Sequence, residues 1–66
     1  MGAIELIVDA YVRVGDRKAL DIMLDGRQRL ADQMRDRTDF DCSLALEKID
    51  RDIMAITSGL ARIGVN

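Results

Sequence analysis

The chain has 66 residues, one cysteine, no histidine and a formal net charge of −2. A chain this short buries only about 60% of the surface that its unfolded form exposes, so it can form one domain with a marginal core. A single thiol without histidine excludes an intrachain disulfide and the usual four-ligand zinc site, and the acidic balance does not favour a general polyanion binder. Self-association is therefore the expected means of stabilising the fold.

The composition is typical of a folded, helix-rich chain, with 48% apolar residues, 33% charged residues and no proline. No apolar run approaches the ~18 residues of a membrane span. The N-terminal segment lacks the charged and apolar regions of a signal peptide, and a lone free cysteine suits a reducing compartment. We therefore expect a cytoplasmic protein that does not associate with membranes.

The first predicted element is a short helix over residues 3–14, which is apolar on nearly all sides. Its polar residues Glu5, Asp9 and Arg13 are four apart and form one narrow stripe. A helix this apolar must be covered almost completely, and two further helices of the same chain can cover only one side. The predicted oligomer interface consists of Ile4, Ile7, Val8, Tyr11, Val12 and Val14.

A strand is the alternative for the same segment, because its even-numbered residues from Ile4 to Val14 are all apolar. The resulting strand-helix-helix order is similar to that of ribbon-helix-helix DNA-binding dimers, which implies a paired strand in the major groove. The outward residues would include Glu5 and Asp9, whose charge is wrong for DNA. A helical-hairpin dimer that binds structured RNA is a second nucleic-acid alternative.

A turn is expected at Gly15 and Asp16, because one continuous helix would carry two apolar faces roughly 140° apart. Gly15 suits the position after a helix, and Asp16 suits the N-cap of the next. Tyr11, Gly15, Ala19 and Leu20 resemble the middle of a tetratricopeptide or pentatricopeptide repeat unit. No second copy follows, and stacking needs about three repeats, so this resemblance implies the turn but no solenoid.

The second predicted helix covers residues 17–37, and a short turn over residues 38–41 separates it from the third. Arg27 projects from its apolar face, where it requires a carboxylate from another helix or subunit. Gly26 costs roughly 1 kcal/mol relative to alanine and marks a close crossing or a bend. The remaining arginines and aspartates interleave, which indicates an exposed, ion-paired face.

The third predicted helix covers residues 42–63, because its apolar residues recur at spacings of 4, 3, 4, 3, 4 and 3 from Cys42 to Ile63. Gly64 follows as a helix-ending glycine, and Cys42 is interpreted as a buried structural cysteine. A short turn between two long helices makes them an antiparallel hairpin. The predicted hairpin seam comprises Leu20, Met23, Leu30, Met34, Leu46, Ile49, Ile53, Ile56, Leu60 and Ile63.

No catalytic arrangement emerges from the sequence, since histidine, the most common general base, is absent. We predict an all-α chain, with a short apolar helix and a long antiparallel hairpin, assembled as a helical-bundle homodimer or higher oligomer. The predicted function is a small non-enzymatic interaction module without metal or cofactor, whose partner is a second copy or another protein. The alternative function is a dimeric nucleic-acid-binding regulator.

Overall fold

The structure is a computed structural model that describes residues 2–36 and 42–63. Its helices are α1 (Ala3–Val14), α2 (Arg17–Arg35) and α3 (Ser43–Ile63). The described residues contain no strand, so the prediction of an all-α chain is confirmed and the alternative strand over residues 3–14 is wrong. A helix satisfies its backbone hydrogen bonds within the segment, whereas a lone strand would leave them unpaired.

The helix ends agree with the expected bounds to within two residues, the usual uncertainty of helix termini. The largest difference is at the end of α2, which stops at Arg35 instead of residue 37. The predicted turn over residues 38–41 and the predicted cap at Gly64 lie outside the described residues.

The turn between α1 and α2 forms at the predicted position. Gly15 has a φ of 68°, a left-handed conformation that glycine adopts without steric cost. The Gly15 N–H donates to the carbonyl of Val12 at 3.1 Å, and the Asp16 N–H donates to the carbonyl of Tyr11 at 3.0 Å. This pair of bonds is the Schellman arrangement that ends a helix. The Asp16 carboxylate then accepts from the Ala19 N–H at 3.1 Å and caps α2.

Side-chain contacts between the helices give their relative directions. Arg17 at the start of α2 reaches the carbonyl of Leu60 near the end of α3. Arg35 at the end of α2 reaches Asp50, in the first half of α3. These two helices therefore run antiparallel. Because the tight turn at Gly15 also reverses the chain, α1 runs in roughly the same direction as α3.

The hydrophobic core lies near the Gly15 turn, where all three helices meet. Its buried members are Val8 of α1, Leu20 of α2, and Ile56 and Leu60 of α3. Half-buried apolar residues complete the cluster: Ile4, Tyr11, Val12, Met23, Leu24 and Ile63. The 3.6-residue period of each helix brings these side chains to one face, so the core follows directly from the apolar spacing.

The predicted seam between α2 and α3 is buried to different degrees along its length. Leu20, Ile49, Ile56 and Leu60 are buried. Five seam residues are half-buried: Met23, Met34, Leu46, Ile53 and Ile63. Leu30 departs from the prediction, because 38% of its surface is exposed. At 100° per residue it lies about 80° from Leu20 around α2, which places it at the edge of the seam.

Candidate interaction surface

Helix α1 uses one of its two apolar faces within its own chain. Val8 is 1% exposed, and Ile4, Tyr11 and Val12 pack half-buried against the same core. The core of their own chain thus covers these four members of the predicted oligomer interface wholly or in part, and leaves Ile7 and Val14 exposed. The sequence analysis underestimated how much of α1 a pair of helices can cover.

A glycine in α3 explains how α1 approaches so closely. Gly59 is buried, and a Cβ atom built on it would overlap the Cγ1 of Val8 and lie 3.3 Å from the Cγ2 of Val12. It would also lie 3.5 Å from the Cδ1 of Leu20. A glycine lets the backbone of one helix receive the side chains of another at short range. Gly59 thus sets the position of α1 over α3.

The other apolar face of α1 remains exposed. Leu6, Ile7 and Val14 are 59%, 46% and 75% exposed, and Ala3 and Ala10 are exposed between them. At 100° per residue, all five lie within a sector of about 100°. Within that sector the helix carries no charged side chain.

This exposed sector points away from α3. Ala3 and Val12 lie about 180° apart around the helix, and Val12 is one of the two α1 residues directed at Gly59 of α3, together with Val8. Helix α1 therefore packs on α3 with one side, and its opposite apolar side is open to a further layer of structure.

Helix α2 also carries exposed apolar side chains. Ile22 is 64% exposed and Leu30 is 38% exposed. Ile22 lies about 140° around α2 from both Arg17 and Arg27, which are the residues that bond to α3. We call the combined surface of α1 and α2 the outer face. Its members are Ala3, Leu6, Ile7, Ala10, Val14, Ile22 and Leu30.

Most of the large exposed apolar residues lie on this outer face. Across the described residues, seven large apolar side chains are exposed, and five of them are Leu6, Ile7, Val14, Ile22 and Leu30. The other two, Leu44 and Met54, are on α3 and about 80° apart around it. Among the described residues, most of the large exposed apolar side chains therefore belong to α1 and α2.

Several charges that border the outer face are paired within the chain. On the α1 side, Asp9 contacts Arg13 at 3.1 Å and Arg62 at 3.3 Å. On the α2 side, Asp25 contacts Arg29 at 3.0 Å. Exposed pairs of this kind add little stability, but they neutralise the two aspartates beside the apolar surface.

The sequence predicts a carboxylate partner for Arg27, and the structure provides one from another helix of the same chain. Its Nε donates to Oδ2 of Asp52 at 3.2 Å, and the Asp52 side chain is only 15% exposed. The pair lies in an open cleft of ≈ 420 Å³ between the start of α1 and α3. Glu5, Lys48 and Arg51 also line this cleft, so it presents charges of both signs.

The other candidate residues of the sequence do not converge on a chemical site. Cys42 is a half-buried free thiol. Across residues 2–36 and 42–63, no three Cys, Asp or Glu side chains are grouped closely enough to hold a metal ion. Two further arginines of α2 are also paired with carboxylates: Arg29 with Asp25, and Arg35 with Asp32 and Asp50.

Two structural roles were missed in the sequence analysis. The first is the role of Gly59. In the sequence it is a glycine that weakens a helix, and its close contact with Val8 becomes evident only in the structure. The Arg17 Nη1 donates to the carbonyl of Leu60 at 3.4 Å, in the last turn of α3, where carbonyls lack intrahelical partners and a cation opposes the helix dipole. A cation at the start of one helix gives no signal of this role.

Comparison of the chain with protein-family models, with curated protein sequences and with solved structures gave no match. Within the part of the chain that the structure describes, no helix has the length and apolar character needed to cross a membrane.

Proposed function

We propose that this chain is a non-enzymatic helical module that works by associating with a second copy of itself through the outer face. The observation that carries the proposal is that five of the seven large exposed apolar side chains in the described residues belong to α1 and α2. An exposed apolar surface with a polar rim is typical of a protein–protein contact.

The size of the molecular surface supports a partner. The chain exposes 4893 Å², whereas the usual relation between mass and surface gives about 4200 Å² for a folded monomer of 7.4 kDa. The excess of about 700 Å² belongs to the chain as a whole, and it is of the same order as the ~800 Å² that each partner buries in a standard interface.

The charge distribution favours a second copy over a charged partner. When the outer face contacts its own copy, like charges at its border come together and repel unless they are neutralised. Here Asp9 is neutralised by Arg13, and Asp25 by Arg29. A self-contact also needs an apolar surface that complements itself, which a chemically uniform aliphatic face provides. The biological role of such an assembly, and its location in the cytoplasm, remain predictions from the sequence.

Sedimentation equilibrium over a wide concentration series tests this proposal. The wild-type chain should form dimers, and Ile22→Lys and Val14→Lys should each weaken the association at least about tenfold, which corresponds to 1.4 kcal/mol. Met54→Lys is the matched control, because Met54 is 71% exposed on α3, outside the outer face. Far-UV circular dichroism should give the same helix content for all variants.

Three results would overturn the proposal. The first is a folded monomer at every concentration. The second is a dimer that Met54→Lys weakens as much as Ile22→Lys does. The third is steeply salt-dependent binding to RNA or DNA that is lost on replacing Arg27, Arg29 and Arg35, which would favour the nucleic-acid alternative.

A further inference from the structure

The exposed residues of α1 define one way in which two copies can pack together, provided that the chain self-associates as proposed above. We infer that α1 of one copy crosses α1 of its partner in an antiparallel sense, with Ala10 on the two-fold axis. In this arrangement, Leu6 of each copy packs beside the partner's Val14.

The spacing of the exposed residues on α1 supports this crossing. Leu6, Ala10 and Val14 are four residues apart and form a single ridge of the kind that interdigitates when two helices pack. The ends of the ridge are large and 59% and 75% exposed, and its centre is a small alanine. A small central residue allows the two backbones to approach, while the large ends fill the grooves beside them.

The ridge is also symmetric about Ala10. A two-fold contact requires each residue to meet its counterpart in reverse order, and an axis at Ala10 pairs Leu6 with the partner's Val14 in both directions. No charged residue lies in this sector of α1, since Glu5, Asp9 and Arg13 all lie about 60–140° around the helix from Ala10. The crossing therefore buries apolar surface without an unpaired charge.

The shape of α2 makes it a less suitable centre for the contact. Gly26 lies between Ile22 and Leu30 on the outer side of α2, and no atom lies within 4 Å of a Cβ built there. Helix α2 thus presents a depression at its centre instead of a ridge. In the inferred dimer, α2 borders the contact, and Ile22 packs against the partner's α1.

Disulfide trapping tests the crossing directly. In a Cys42→Ser background, Ala10→Cys places one thiol on the inferred axis, where the two Cα atoms can approach within the 4.4–6.8 Å that a disulfide needs. Ser58→Cys is the control, because Ser58 is exposed on α3. In a glutathione buffer, the effective thiol concentration for the Ala10→Cys dimer should exceed that of Ser58→Cys by roughly tenfold or more.

The outcomes separate this inference from the proposed function. Preferential linkage through Ala10→Cys, together with a dimer in sedimentation, supports both. A dimer in sedimentation without preferential linkage at this position overturns the α1–α1 crossing and leaves self-association standing. A monomer in sedimentation, with equal linkage of the two cysteine variants, overturns both. An additional variant, Ala10→Leu, should weaken the dimer at least about tenfold while the helix content remains unchanged.

Discussion

A methyl group added at Gly59 should destabilise the protein, whereas the same addition at Gly26 should stabilise it. Both glycines lie inside helices, so each gains about 1 kcal/mol of helix propensity on replacement by alanine. The surroundings differ completely. The new Cβ at Gly59 would overlap Val8 Cγ1, while the new Cβ at Gly26 would meet no atom within 4 Å.

The expected free-energy difference follows from these contacts. Val8 is 1% exposed and enclosed by the core, so its methyl group cannot move into solvent. Forcing an extra methylene into a packed core typically costs about 1–3 kcal/mol. After the helix propensity is subtracted, Gly59→Ala should lower the free energy of unfolding by about 0–2 kcal/mol, since the propensity gain offsets about 1 kcal/mol.

Urea denaturation followed by circular dichroism measures both variants on the same scale. The free energies of unfolding of Gly26→Ala and Gly59→Ala should differ by about 1–3 kcal/mol, the overpacking cost alone. A concentration series separates folding from association, because dimer stability depends on protein concentration. Val8→Ala should relieve the strain, so a double-mutant cycle with Gly59→Ala should give a coupling of about 0.5–3 kcal/mol.

Equal stabilisation by Gly26→Ala and Gly59→Ala would refute this reasoning. It would mean that α1 does not rest on Gly59, and that the exposed outer face is assigned to the wrong side of α1. A destabilised Gly59→Ala that Val8→Ala does not rescue would contradict the specific contact while leaving the close approach of α1 in place.

Three further predictions test other parts of the fold. Asp52→Ala should lower the free energy of unfolding by about 1–3 kcal/mol in urea titrations, because it leaves the partly buried Arg27 unpaired, whereas Asp25→Ala in an exposed pair should change it by less than about 1 kcal/mol. Gly15→Ala should lower it by about 1–2 kcal/mol in thermal melts, since alanine is strained at a positive φ; an unchanged melting temperature would contradict the turn. Val8→Asp should abolish the helical circular dichroism signal at every concentration, because it buries an unpaired charge; a folded monomer would contradict the core.

The helices and the turn were predictable from the sequence because their signals are local. Gly15 followed by Asp16 predicts a turn, because the apolar faces of the segments on either side point in different directions. The hydrogen bonds to the carbonyls of Tyr11 and Val12 agree with this turn. The need of Arg27 for a carboxylate was likewise evident from its apolar surroundings. Its partner Asp52 was not, because that pairing depends on how two helices are aligned.

The division of α1 into a core face and an outer face was not predictable for the same reason. Its apolar residues surround most of the helix, so periodicity alone does not distinguish Val8 from Val14. The distinction arises from Gly59, which is distant in sequence and admits one side of α1 closely. A small residue in one helix determines which side of the neighbouring helix is buried. That side can be identified only when the alignment of the two helices is known.

The length of α1 determines where a partner can contribute most. Its 12 residues span about 18 Å, whereas the 21 residues of α3 span about 31 Å, at 1.5 Å per residue. The three-helix core around Leu20 and Ile56 is therefore confined to the end near Gly15, and α2 and α3 form only a two-helix layer beyond it. A partner on the outer face would pack over the end near Gly15, where the three helices already form a core. Hydrogen exchange should accordingly be slowest around Leu20 and Ile56, and should slow further there as concentration rises.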